Sequence, residues 1–149
     1  MGWLYSILLF AVVLFTGYVK NLSEQPLLTA EQEEAEATAV NMLAYANYVR
    51  SYLQSNPSAN GVIADSSLSL PSWYTKNSQI SNVASAGYVF VYCACTDITE
   101  AVSEQLYEKT EGSYFVGTKT TGLFKSSNSS FSIAAPNTIP DGSAIYLVH

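Results

Sequence analysis

From Gly2 to Val19 the chain reads GWLYSILLFAVVLFTGYV, without a charged side chain before Lys20. Wound as a helix, such a run covers roughly 27 Å, about the thickness of a bilayer's hydrocarbon core. Trp3 and Tyr5 lie near one end and Tyr18 near the other, where a spanning helix meets the two interfaces. The pattern predicts an uncleaved transmembrane helix over 1–19. A cleaved signal peptide is the competing reading. It needs a basic n-region and a small-x-small cleavage site, and Phe15-Thr16-Gly17-Tyr18-Val19 fits poorly. A buried core helix is the third alternative.

Residues 20–28, KNLSEQPLL, form a polar linker in which Pro26 interrupts or kinks the chain. A helical pattern follows. Thr29-Ala30-Glu31-Gln32 fits a capping box, and four glutamates in the first two turns suit the helix macrodipole. Ala39, Met42, Leu43, Ala46, Val49 and Leu53 recur at helical spacing and make one apolar stripe. Tyr45, Tyr48 and Tyr52 run beside it. The helix should end near Ser55, because Asn56 precedes Pro57.

Beyond the helix the period shortens. Residues 61–64 and 67–70 read as short extended pieces, and 75–86 as polar loop. The nearly continuous apolar run Gly87 to Cys95 reads as a strand at the centre of a sheet, buried on both faces. Asp97-Ile98-Thr99-Glu100 repeats the capping-box pattern before a helix over 101–109 that ends at Gly112. Ile98, Val102 and Leu106 would face inward, and Glu100, Glu104 and Glu108 outward. Further strands are expected over 113–116, 120–125, 130–134 and 144–148, with turns at Asn128 and Asp141-Gly142. The spacings are too short for regular βαβ units. The expected class is therefore α+β: an N-terminal transmembrane helix, then a long amphipathic helix packed on a mostly antiparallel sheet, with one further short helix. The domain would occupy 29–149.

Charge then bears on location and partners. Lys20 is the only basic residue flanking the apolar run, and Glu24, Glu31, Glu33, Glu34 and Glu36 follow. Positive charge marks the cytoplasmic side, so its scarcity here favours a domain facing the periplasm, held at the inner membrane. Formal net charge is -6 and no basic patch exists, which excludes nucleic acid as an expected partner. Charged residues make up only 12% of the chain while tyrosine occurs eleven times, a composition suited to packing against other proteins. An oligomer is left open.

No catalytic constellation emerges. The single histidine, His149, is at the extreme end of the sequence, so no His accompanies a Ser or Cys nucleophile within the domain. Asp65, Asp97 and Asp141 are isolated and suit turns or caps. No phosphate loop, dinucleotide fingerprint or calcium loop is present. Catalytic, cofactor-binding and metal-binding residues are all assigned as none, and the chain is expected not to be an enzyme. Cys93 and Cys95 are the only cysteines. On a continuous strand their Cα atoms would be roughly 6.5 to 7 Å apart, at or past the usual limit for a bridge. Two buried thiols are the first reading, and a bridge formed in an oxidising compartment stays open. The tyrosine row and the glutamates 31–36 could meet a partner. Their plainer readings are a flank of the core and a solvated helix start.

An apolar helix, a proline, an amphipathic helix and a small sheet domain together resemble a type IV pilin in outline. Pilins, however, carry a basic leader and a glutamate at the fifth mature position, and no acid precedes Glu24 here. A resemblance along nearly the whole chain is more specific. The start MGWLYSILLF ending in LFTGY, the glutamate-rich helix entry and the AxxMLxYxNxV-like run Ala39 to Val49 are similar to the PilM family of plasmid-borne type IVb thin-pilus systems. These are small inner-membrane proteins, distinct from the actin-like protein that shares the name. The resemblance implies a scaffold or basal-body role in pilus biogenesis with other pilus assembly proteins as partners. A minor pilin-like subunit within the fibre is the alternative.

Overall fold

A computed structural model describes residues 30–149. The predicted transmembrane helix 1–19, the linker 20–28 and the N-cap at Thr29 lie outside the described residues. Among the described residues no helix is long and apolar enough to cross a membrane. Two units part between Glu33 and Glu34. In the first, 30–33 are helical and exposed. The second, Glu34–His149, carries the α+β fold.

Its helix α1 covers 34–55. Ala35, Ala39, Met42, Tyr45, Ala46 and Val49 recur every three or four residues, so they share one face, and all six are fully buried. Leu43 and Leu53, expected in the same stripe, pack at its margins and stay half-buried. The helix stops at 55, one residue before the Asn56-Pro57 pair that cannot prolong it.

Among the described residues six strands form one antiparallel sheet: β1 (Ile80–Ser85), β2 (Tyr88–Cys93), β3 (Val116–Thr120), β4 (Leu123–Ser126), β5 (Ser132–Ala134) and β6 (Ala144–Val148). The order across the sheet is β1-β2-β6-β3-β4-β5. Helix α2 (Thr99–Lys109) joins β2 to β3. The two tight hairpins turn on Ala86-Gly87 (φ 54° and 82°) and Thr121-Gly122 (φ 50° and 78°). Two successive positive φ values are the turn that matches strand twist, and glycine takes the second at little cost.

Alternation divides the sheet into two faces. Ile80, Ala84, Val89, Val91, Cys93, Val116, Ala144 and Val148 point towards both helices, meeting the α1 stripe and Val102 and Leu106 of α2. Val83, Phe90, Phe124, Ile145 and Leu147 point the other way, where Ala135 and Ile139 of the β5–β6 connection cover them. The helix-on-sheet arrangement thus holds, with the second face covered by loop.

Several expectations are corrected. Residues 75–86 are not all loop, since β1 lies within them. The strand read over Gly87 to Cys95 is buried on both faces but is second from the edge; β6 and β3 occupy the middle. Residues 61–64 contribute a single bridge, Gly61 to Ala84, and 67–70 form no strand, Ser67 being the last residue of a 3-10 turn at Asp65–Ser67. The strands expected over 113–116 and 120–125 are shifted to 116–120 and 123–126, because the turn falls at Thr121-Gly122. The second capping box does not form: Ile98 is the N-cap, with no side-chain cap bond. Thr99 instead donates its hydroxyl to the Cys95 carbonyl at 2.8 Å. Glu111 (φ 54°) and Gly112 (φ 83°) end the helix, Gly112 N–H reaching back to the Tyr107 carbonyl.

Cys93 and Cys95 form a disulfide, against the first reading of two thiols. The longer separation belongs to a strand running through Cys95. The strand ends at Cys93, the chain bends, and the Cα atoms come within 5.3 Å. Both residues are buried beneath the helices.

Candidate interaction site

The tyrosine row splits once folded. Tyr48 and Tyr52 are half-buried beside the core, whereas Tyr45 is fully buried in it. Burying a phenol requires hydrogen-bond partners, and two elements supply them. Its hydroxyl donates to Asp65 Oδ1 (2.5 Å) and accepts from Asn82 Nδ2 (2.6 Å). Asn82 lies in β1, facing α1. Its amide also pairs with both backbone groups of Ile63, accepting from N–H and donating to the carbonyl at 2.9 Å each. Lys76 completes the cluster, 2.6 Å from Asp65 Oδ2 and 5.0 Å from the centroid of the Tyr45 ring.

A second clasp lies one turn earlier on α1. Asn41 Oδ1 accepts from the Tyr74 hydroxyl (2.9 Å) and the Asn77 N–H (3.1 Å), and its Nδ2 donates to the Thr75 carbonyl (2.9 Å). The Tyr74 ring packs 5.6 Å from that of Tyr48. Residues 56–79, which contain almost no regular structure, are fastened to α1 at these two places. Trp73 lies edge-on to Tyr74 and is otherwise exposed.

These contacts set the titration of the cluster. Burial raises the Tyr45 hydroxyl well above the ordinary phenol value, and its bond to Asp65 adds to the rise while Asn82 opposes it. Burial pushes Tyr74 up to about 12, helped by the neighbouring Tyr48 and Asp65. For Asp65, burial acts upward, but hydrogen bonds from Lys76 and Tyr45 and the Lys76 charge outweigh it, so its carboxyl lies below the usual range.

The remaining acids read from sequence are spread apart. Glu36 pairs with Lys109 at 2.7 Å, tying the start of α1 to the end of α2. Glu100, Glu104 and Glu108 are exposed on α2 as expected, and Asp97 is exposed in a turn. Asp141 sits 3.5 Å from the buried amine of Lys119. That amine donates to the carbonyls of Ile139 (2.6 Å) and Pro136 (3.2 Å), holding the β5–β6 connection on the sheet. Asp65 is the exception: it looked isolated in sequence and joins Tyr45 and Lys76 in space.

A cavity of about 330 Å³ opens where α1 ends. Leu53, Pro57 and Val89 form apolar walls, and Arg50, Tyr88 and His149 bring polar atoms to it. The His149 ring packs on Tyr88 with centroids 5.5 Å apart. In the sequence His149 stands out only as a terminal residue, and Arg50 carries no motif that marks it. Nothing local links two residues so far apart in the chain; only the pairing of β6 with β2 brings His149 to Tyr88.

A family model described as PilM matches residues 10–147. No curated protein matches the chain. Among solved structures, a protein named PilM from Escherichia coli B7A superposes with a TM-score of 0.61 at 23% identity, covering 78% of this chain and 92% of that one. A pilM protein from Pseudomonas aeruginosa 2192 is 28% identical over 77% of this chain and 93% of its own, with a TM-score of 0.45. The Escherichia coli likeness is one of fold.

Proposed function

Since the chain belongs to the PilM family, we propose that it serves pilus biogenesis as a membrane-anchored binding component that carries out no turnover. The observation that carries this reading is the span of the family match, which takes in α1, α2 and, but for Val148, every strand, as well as the second half of the apolar start. In this reading residues 1–19 anchor the chain in the inner membrane and the α+β domain faces the periplasm, where it holds other pilus assembly proteins. The sparse charge flanking the apolar run supports that orientation. A disulfide at Cys93–Cys95 suits an oxidising compartment. The side chains best suited to chemistry are already engaged in holding the fold: Asp65 with Tyr45 and Lys76, Lys119 with two carbonyls, and the cysteines with each other.

Fusions to alkaline phosphatase after residues 30 and 149 test the topology, with activity expected from both. Activity in neither, or full-length protein in the soluble periplasmic fraction, defeats the reading. The second reading, a minor pilin-like subunit, draws on the packing of a long helix over an antiparallel sheet. Shearing separates the two: a scaffold stays with the membrane, and a subunit leaves with the fibres. Co-purification from detergent identifies the partners.

A further inference from the structure

We propose that the cavity at the end of α1 is a docking site for a segment of a partner protein that presents a carboxylate beside an apolar side chain. The proposal rests on the reading of the chain as a binding component and adds the chemistry of what it binds.

The charge pattern points to the carboxylate. Lys76 is paired with Asp65, Lys109 with Glu36, and Lys119 is buried near Asp141. Among the described residues Arg50 meets no carboxylate. Its Nη1 donates to Asn47 Oδ1 (2.9 Å) and its Nη2 lies 3.4 Å from the Tyr146 hydroxyl, both neutral acceptors. A guanidinium carries five N–H donors in a planar fork, so these two bonds steady it and leave donors for an anion. Lys125 is also without a carboxylate partner among the described residues, but it is exposed in β4 and is not part of the cavity wall.

The walls point to the rest of the ligand. Leu53 and Pro57 offer apolar surface to a side chain next to the acid, with the buried Val89 behind them. Gln54 and the Gly87 turn also line the cavity and are exposed, giving amide groups that match a peptide backbone. A volume of about 330 Å³ is at the lower end of ligand sites, room for one or two side chains. The chain's net charge of -6 gives acids no general attraction, so a carboxylate held here depends on Arg50.

The test uses the full chain in detergent micelles and two capped, fluorescein-labelled peptides, AFELA and AFQLA, read by anisotropy and by methyl NMR of Leu53 and Val89. AFELA should bind at least tenfold more tightly than AFQLA and shift both methyl groups. Arg50→Gln should bring AFELA down to the AFQLA level, and Lys125→Gln should leave it unchanged. The NMR spectrum of each variant reports whether it is folded. Equal binding of the two peptides, or an equal loss in Lys125→Gln, overturns the proposal. So does N-acetylphenylalanine binding as tightly as AFELA, which would make this a site for small free acids. If the peptides fail while wild-type chain still co-purifies with pilus assembly proteins, this site alone is wrong and the binding role stands.

Discussion

Tyr45→Phe removes one oxygen atom from the core and leaves the ring in place, so it tests the polar cluster without opening a cavity. Two hydrogen bonds are lost. On the Asp65 side little follows, because that side chain is 44% exposed and keeps Lys76. On the Asn82 side the residue is only 2% exposed. One of its two amide hydrogens still reaches the Ile63 carbonyl, and the other is left without a partner. A buried donor left unsatisfied costs about 1–3 kcal/mol. Taking about 2 kcal/mol, Tm should fall by about 8 °C in a domain of this size. Tyr52→Phe, at a half-buried residue whose hydroxyl has no side-chain partner in the cluster, should stay within about 0.5 kcal/mol of wild type. The Asp65 carboxyl gives an independent reading by carbon-detected NMR titration. Its value is held down partly by the Tyr45 donor, so Tyr45→Phe should move it upward. A depressed carboxylate adds stability above about pH 3.9 that is lost as pH falls through its folded value, so the variant should also lose part of its acid-side pH dependence. A Tm within about 2 °C of wild type together with an unmoved Asp65 titration would refute the account of the cluster.

Lys119→Met replaces the buried amine with an apolar chain and strips two carbonyls of their donor. It should cost about 2–4 kcal/mol and speed proteolysis within residues 135–143, read by limited digestion and mass spectrometry. Cys93→Ser with Cys95→Ser opens so short a loop that chain entropy accounts for only about 1.5 kcal/mol. Phe90→Ala, by contrast, empties a fully packed site and should cost about 3–5 kcal/mol, and urea midpoints should rank the two in that order. In alkali, Tyr74 should stay protonated until about pH 12 and Tyr45 beyond the ordinary phenol range. Raised values of this kind add stability below about pH 10 that is lost as pH climbs through them. Absorbance at 295 nm should therefore show these phenols ionising together with unfolding.

The fold was legible wherever apolar periodicity was unbroken. The α1 stripe, β2, β6 and the Val102–Leu106 side of α2 stand out in sequence because most of their buried positions carry apolar side chains, with Thr38, Thr99 and Ser103 as buried polar exceptions on the helices. β1 was lost because it breaks that rule at its middle. Read as Ile-Ser-Asn-Val-Ala-Ser, it puts Asn82 where the alternation calls for an apolar residue, and the amide is tolerated only because Tyr45 and Ile63 satisfy it. The Ala86-Gly87 turn in front of the strongest strand was the available sign that a partner strand precedes it. The cysteine geometry failed for a related reason. It was correct for a strand, and the strand ended two residues sooner than the apolar run suggested.

Asn82 also explains why a polar residue is kept at this place. β1 is the edge of the sheet, and an edge exposes backbone groups that invite pairing with another chain. Here Gly61 closes on Ala84 through two backbone bonds of 2.9 and 2.8 Å, and the Asn82 amide pairs with Ile63 as a further strand residue would. The segment that supplies Gly61 and Ile63 is held in turn by Asp65 and Lys76 around Tyr45. Covering the edge, satisfying the buried phenol and fixing an otherwise irregular connection are therefore one arrangement. Its members lie at 45, 61–65, 76 and 82, on a helix, an irregular connection and a strand, so no local pattern joins them. The candidate cavity is hidden for the same reason: Arg50 lies on α1, Tyr88 on β2 and His149 just past β6, and His149 reaches Tyr88 only once β6 has paired with β2. Residues that act by converging from separate elements leave no local pattern, and this chain places both its principal polar cluster and its candidate site in that class.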